Sequence, residues 1–187
     1  MKKLLHAEII EKRLTEEQAA QAQRHPITVM VDNVRSLYNV GSMFRTADSA
    51  FIQEIILCGY TPHPPRKEIE KTALGATHTV PWRYFPNPID AVHTLRSEGN
   101  RIIAVEIADT HRMYDSLSTE DYPLVLIVGN EITGISDEVM ALVDDTVEIP
   151  MYGVKHSLNV SVATGIVLYE AVKIWKNLLQ TNTKTPQ

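Results

Sequence analysis

Apolar residues in this chain fall in short runs separated by polar stretches that carry glycine and proline. The segments Ile27–Val31, Glu54–Cys58, Arg101–Ile107, Leu124–Val128 and Thr146–Ile149 have strand length and little polar alternation. Runs of that kind suit strands covered on both faces. Between them apolar positions recur at helical spacing: Met43, Phe44, Ala47 and Ala50, then Ala91, Val92 and Leu95. Over roughly 160–179 a longer stripe carries Leu168, Ala171, Val172, Trp175, Leu178 and Leu179, a core face that can also extend to a subunit interface. Asn87-Pro88 and Gly99 bracket the middle helix, and Pro65 and Gly75 bracket a short one over Arg66–Leu74. Thr79–Trp82 predicts one more strand. The order β-α-β-α-β-α-β, followed by further strand–loop–helix units, predicts an α/β fold with a mostly parallel sheet flanked by helices.

The ends of the chain read differently. Residues 1–24 are rich in Glu, Gln and Ala and read as helical, with Thr15 and Gln18 spaced for a capping box. His25-Pro26 breaks that pattern. The division expected is a helical extension over 1–26, one domain over 27–180, and a polar, flexible tail over 181–187.

Three polar clusters stand where apolar strands end, and they locate the chemistry. After Ile27–Val31 comes DNVRSLYNVGSMFR, in which Asn39 and Gly41 open a helix and Arg45 follows one turn later, able to reach back over the loop. After Leu124–Val128 comes Gly129-Asn130-Glu131, and Ser136-Asp137-Glu138 reads as a helix start. After Thr146–Ile149 comes a loop around Gly153, then Ser157-Leu158-Asn159 at the entry of the last helix. Strand ends that meet a polar helix entry make a ligand crevice in an α/β sheet. On residue types alone, Glu131 can equally be a carboxylate that holds the fold, and Asn159 an ordinary helix cap.

Composition narrows the partners. With 44% apolar residues the chain can bury a full core, and no apolar run approaches the ~20 residues of a membrane span. The N-terminus does not read as a signal peptide. The single cysteine, Cys58, fits a reducing cytoplasm and lies in an apolar run, where a small buried side chain is expected rather than a nucleophile. A net charge of −5 is not the footprint of a basic nucleic-acid binder, although Lys2, Lys3, Lys12, Arg13, Arg24, Arg35, Arg45, Arg66 and Lys67 permit a local basic face. GxGxxG, GxxxxGK[ST] and GxSxG are absent, and the seven histidines show no metal-ligand spacing. No metal is expected.

The segments DNVRSLYNVGSMFRTAD, IVGNEITGIS and VEIPMYGVKHSLNVSVATGIVLYEA resemble the three successive motifs of the SpoU/TrmH methyltransferases of the SPOUT superfamily. The resemblance covers about Ile27–Lys176, with all motifs in order. It implies an S-adenosylmethionine-dependent RNA ribose 2′-O-methyltransferase with a C-terminal trefoil knot, working as a cytoplasmic homodimer. It implies that Gly129, Ile149 and Leu158 hold the cofactor, with Glu106 a looser match. Arg45 takes the place of the arginine assigned to activating the 2′-hydroxyl, with Asn39, Glu131, Ser157 and Asn159 around it. A guanidinium is too basic to accept the proton easily. Orienting phosphate and stabilising the developing alkoxide is the chemically simpler role. The chain carries no obvious appended RNA-binding domain, which leaves the substrate open between tRNA and rRNA, with tRNA read through the dimer surface placed ahead. The alternatives are a non-catalytic RNA-binding module on this fold and an α/β enzyme using another nucleotide cofactor.

Overall fold

The computed structural model describes residues 1–182. Seven strands form one sheet: β1 (His25–Asp32), β2 (Ile52–Cys58), β3 (Trp82–Phe85), β4 (Arg101–Val105), β5 (Arg112–Met113), β6 (Leu124–Val128) and β7 (Asp145–Glu148). Their order is β3-β2-β1-β6-β4-β7-β5, and every pairing is parallel. Eight helices accompany them among the described residues: α1 (His6–Ile10), α2 (Glu16–Gln21), α3 (Leu37–Ala50), α4 (Lys67–Ala73), α5 (Ala76–Thr79), α6 (Pro88–Ser97), α7 (Asp137–Met140) and α8 (Val160–Asn182).

The unbroken apolar runs have the expected cause. Along β1, Ile27, Val29 and Val31 enter one core with Phe44, Met43, Val167 and Leu168 of α3 and α8. Met30 points the other way, into a second core with Ala91, Val92 and Leu95 of α6 and Val139 of α7. The strand β6 divides likewise, with Leu124, Leu126 and Val128 on the first face and Val125 and Ile127 on the second. A strand buried on both faces has no solvent side to fill with polar residues. The result is a three-layer α/β/α sandwich.

Several local expectations shift. Thr79–Trp82 is not a strand: Ala76–Thr79 forms the helical turn α5, and the strand β3 starts only at Trp82. Pro26 lies inside β1, which starts at His25. Helix α3 begins at Leu37 behind Ser36, whose side chain accepts from the Asn39 amide, so Arg45 sits more than two turns into the helix rather than one. Thr15 and Gln18 do form the capping box of α2. Arg24 is not a free surface charge, since it donates to the carbonyls of Ile52 (3.2 Å) and Thr79 (2.6 Å) and ties the N-terminal segment to the sheet. The expected tail, Thr181–Gln187, lies outside the described residues from position 183; Thr181 and Asn182 end α8.

Some acids of the second half of the chain are paired with arginines. Buried Asp121 pairs with Arg101 and Arg112, each at 3.1 Å, and Asp144 with Arg96 at 2.7 Å. These pairs brace β4, β5 and β7, on the side of the sheet where the third motif leaves it.

Candidate active site

From β1 the chain turns outward to β2, whereas β6 leads away to the opposite side through β4 and β7. Loops leaving a parallel sheet in opposite directions open a crevice at its carboxyl end. Here the two loops are stitched across it. Asp32, fully buried at the end of β1, accepts from the backbone N–H and the hydroxyl of Ser136, both at 2.9 Å. The Ser136 hydroxyl therefore joins two loops instead of capping α7, as its sequence position suggested. Asn33 takes a left-handed backbone (φ 56°), which asparagine tolerates, and its side-chain oxygen accepts from the Tyr60 amide. Asn130 donates to the Asn33 carbonyl and to the Tyr60 hydroxyl, both at 2.9 Å, while its own oxygen accepts from Ile132 and Thr133.

That frame fixes Glu131. Its carboxylate accepts from the backbone N–H groups of Arg35 (3.0 Å) and Ser36 (3.1 Å) and from the Asn39 side chain (2.9 Å). Burial pushes the carboxyl up, but these donors outweigh it and hold Glu131 below the usual glutamate range. Asn39 in turn accepts from the Asn159 amide at 3.1 Å. The Asn159 oxygen accepts from the Ser161 amide and hydroxyl, so Asn159 caps α8 and joins the site together. Three residues from three separate motifs thus form one chain: Glu131, Asn39, Asn159.

Beside this chain a cleft of about 190 Å³ opens between the ends of β4, β6 and β7. Glu106, Gly129, Ile149 and Leu158, the four positions expected to hold the cofactor, all line it, as do Glu131 and Ser157. Glycine is required at two points of the wall. A Cβ on Gly129 would overlap the backbone of Gly134 and Ile135, and one on Gly134 (φ 69°) would overlap the Glu106 carboxylate. Glu106 accepts from the amides of Ile107 (3.0 Å) and Ile135 (3.1 Å), which leaves lone pairs on both oxygens for further donors.

The lining also selects by charge. Glu106, Glu131 and Glu148 contribute carboxylates, and among the described residues no lysine or arginine lines the cleft. Val105, Val128, Ile132, Ile149 and Leu158 supply apolar wall. A cofactor with a sulfonium and an uncharged purine fits this lining, whereas the phosphates of a dinucleotide or ATP would meet like charge.

Ser157 is on the cleft rim but outside the Glu131–Asn39–Asn159 chain. Arg45 lies about 9 Å along α3 from Asn39, on the exposed face, and does not line the cleft. Its guanidinium has no hydrogen bond or ion pair among the described residues. Sequence reasoning missed Asp32, Asn33, Tyr60 and the structural part played by Asn130. The signal available was the run of polar residues directly after a buried strand, which loops seldom need unless they are braced.

The SpoU rRNA Methylase family model matches residues 26–169. The tRNA (guanosine(18)-2′-O)-methyltransferase of Aquifex aeolicus is 32% identical over 169 residues, covering 87% of this chain and 77% of the relative. The crystal structure of the A. aeolicus TrmH/SpoU tRNA modifying enzyme superposes with a TM-score of 0.78 at 30% identity, over 91% of this chain and 86% of that one. An AdoMet-bound rRNA methyltransferase from Sinorhizobium meliloti superposes with a TM-score of 0.76 at 32% identity, over 81% of this chain but only 57% of its own.

Proposed function

Since the chain belongs to the SpoU rRNA methylase family, we propose that it transfers a methyl group from S-adenosylmethionine to a ribose 2′-hydroxyl of tRNA or rRNA. The observation that carries this reading is the Glu131–Asn39–Asn159 chain standing on the rim of a cleft lined by carboxylates and, among the described residues, free of lysine and arginine. The cofactor supplies an activated methyl group. The protein has to hold a ribose hydroxyl in line with it and stabilise charge as the proton leaves. Glu106, Gly129, Ile149 and Leu158 hold the cofactor. Arg45, on the exposed face of α3 and unpaired among the described residues, is available to an RNA phosphate and to the developing alkoxide. Asn39, Glu131, Ser157 and Asn159 orient these groups.

The substrate is tRNA ahead of rRNA, a preference supported by the tRNA enzyme that the chain matches over most of its length. The working unit is a homodimer. Tyr152 and Val154, 94% and 91% exposed on the loop before α8, and half-exposed Val162 and Tyr169 on α8 are apolar surface suited to a second copy. The segment 149–159 crosses back from β7 to set Asn159 beside Asn39, a path that suits the family's trefoil knot. One buried cysteine and an RNA substrate suit the cytoplasm.

The test is transfer of labelled methyl from S-adenosylmethionine to total RNA lacking this protein's modification, comparing wild type with Arg45→Ala. Label in one RNA size class is expected, falling about 100-fold in the variant. Unchanged cofactor affinity and stability are expected alongside, because Arg45 touches neither the cleft nor the core. RNA binding without any transfer by the wild type would favour a non-catalytic RNA-binding module.

A further inference from the structure

The cations of this chain divide by position. Arg83, Arg96, Arg101 and Arg112 pair with carboxylates around β3, β4, β5 and β7, and Arg24 is tied to backbone carbonyls. Arg35 before α3, Arg45 on it, and Arg66, Lys67 and Lys71 at α4 are exposed and have no ion pair among the described residues. The acids beside them are mostly occupied: Glu70 accepts from the Thr77 hydroxyl and Asp48 from the Thr79 hydroxyl, which leaves Glu68. The helical layer on the other side of the sheet has the opposite sign. There Asp90 on α6 and Asp137 and Glu138 on α7 are exposed, and Arg96 is spent on Asp144.

Packing joins α3 and α4 into one surface. They meet at Gly41, where a Cβ would overlap the Ile69 carbonyl and the Thr72 hydroxyl. That hydroxyl donates to the Tyr38 carbonyl at 3.1 Å. Ile69 and Ala73 face the core, so Lys67 and Lys71 stand together on the outer side, about 6 Å apart along the axis. On α3, Tyr38 and Arg45 are two turns apart and share the exposed side, with the tyrosine 51% exposed. Tyr38 is therefore next to Asn39 of the site and hydrogen-bonded to α4. Resting on the RNA methyl-transfer reading, we propose that the α3–α4 face holds the unpaired RNA strand flanking the target nucleotide, with Arg66, Lys67 and Lys71 on its phosphates and the Tyr38 ring stacked on a neighbouring base. Cations not already paired within the protein release counterions when they meet phosphate. An exposed ring among them takes an unstacked base of any identity, because every base has a π-face. The strand reaches the site from the side of α4, away from the acidic α6–α7 layer.

The full-length protein is titrated with end-labelled total tRNA, and separately with total rRNA, by filter binding between about 0.05 and 0.2 M salt. The double variant Lys67→Gln, Lys71→Gln should make the slope of log affinity against log salt shallower by about 0.7 for each contact, and weaken binding about 25-fold at about 0.1 M salt. Lys67→Arg with Lys71→Arg should keep the wild-type slope. Tyr38→Ala should weaken binding about fivefold or more at an unchanged slope, and Tyr38→Phe should not. The lysine variants should melt like wild type, since both side chains are exposed. Wild-type slope and affinity in the glutamine variant, or a loss of affinity without a change of slope, would overturn the phosphate contacts. Wild-type binding by Tyr38→Ala would overturn the stacking platform. Methyl transfer to RNA by the wild type, with normal RNA binding by the glutamine variant, refutes this inference alone, whereas a wild type that binds no RNA refutes the methyl-transfer reading as well.

Discussion

Replacing Glu131 by glutamine isolates what its charge does, because the side chain keeps its size. The wild-type carboxylate receives three N–H bonds, from Arg35, Ser36 and Asn39. Glutamine keeps one oxygen, which can serve Ser36 and Asn39, and turns its NH₂ towards the Arg35 donor. Two bonds fall from charge-assisted to neutral strength, about 1 kcal/mol each, and one is lost at about 1.5–3 kcal/mol. The gross loss is about 4 kcal/mol. Water reaches this partly exposed group and replaces much of it, so the expected net destabilisation is about 1–2 kcal/mol. Urea unfolding should show that deficit, and the melting temperature should fall by about 3–6 °C. The difference must also depend on pH with a defined sign. Because the folded-state carboxyl lies below the ordinary range, its stabilisation is complete above the unfolded-state value. It is lost as pH falls through the folded-state value, so wild type and variant should converge in acid. Asn39 also loses its charged anchor and the cleft one of its three carboxylates, so labelled methyl transfer should drop and the KM for S-adenosylmethionine should rise. A variant with wild-type melting at pH 7 and wild-type turnover would refute both the anchoring role and the hydrogen-bond accounting.

Two further changes test the cofactor wall and the C-terminal helix. Gly129→Ala should push the Gly134–Ile135 backbone out of place, cost about 1–3 kcal/mol of stability, and weaken S-adenosylmethionine binding about tenfold or more by calorimetry. Truncation after Val172 removes Trp175, which packs on Tyr122 with ring centroids 5.4 Å apart, together with the end of α8. Sedimentation should then show a monomer without activity. A truncation that stays dimeric would contradict an interface reaching the end of this helix, and a fully active monomer would contradict the homodimer as the working unit.

How much of this was legible beforehand depended on the range of the forces involved. Leu124–Val128 was readable as β6 to the residue, because burial on both faces leaves its mark in every position. The helix α6 was nearly so, through the Asn87 cap and Pro88. The β-branched Thr79 and Val80 near Trp82 suggested a strand where the left-handed turn at Leu74 and Gly75 starts another helical turn instead. The two-residue strand β5 has no periodicity to detect. Of the site, the cofactor positions were carried by motif resemblance and converge on one cleft. The brace of Asp32, Asn33 and Asn130 was invisible, since its partners lie 27 to 104 residues apart and no local pattern links them.

The hydrogen bond between Asn159 and Asn39 joins residues separated by 120 positions. On the ribosome, at ~5–20 residues per second, that separation is about 6–24 s of synthesis. Throughout that interval the first motif is folded against nothing that could complete it, and Glu131 arrives with only part of its setting. A nascent or prematurely terminated chain therefore exposes no working transfer site to the RNA crowded around it. The bond therefore reports that the third motif has been made, at the entry of the last helix.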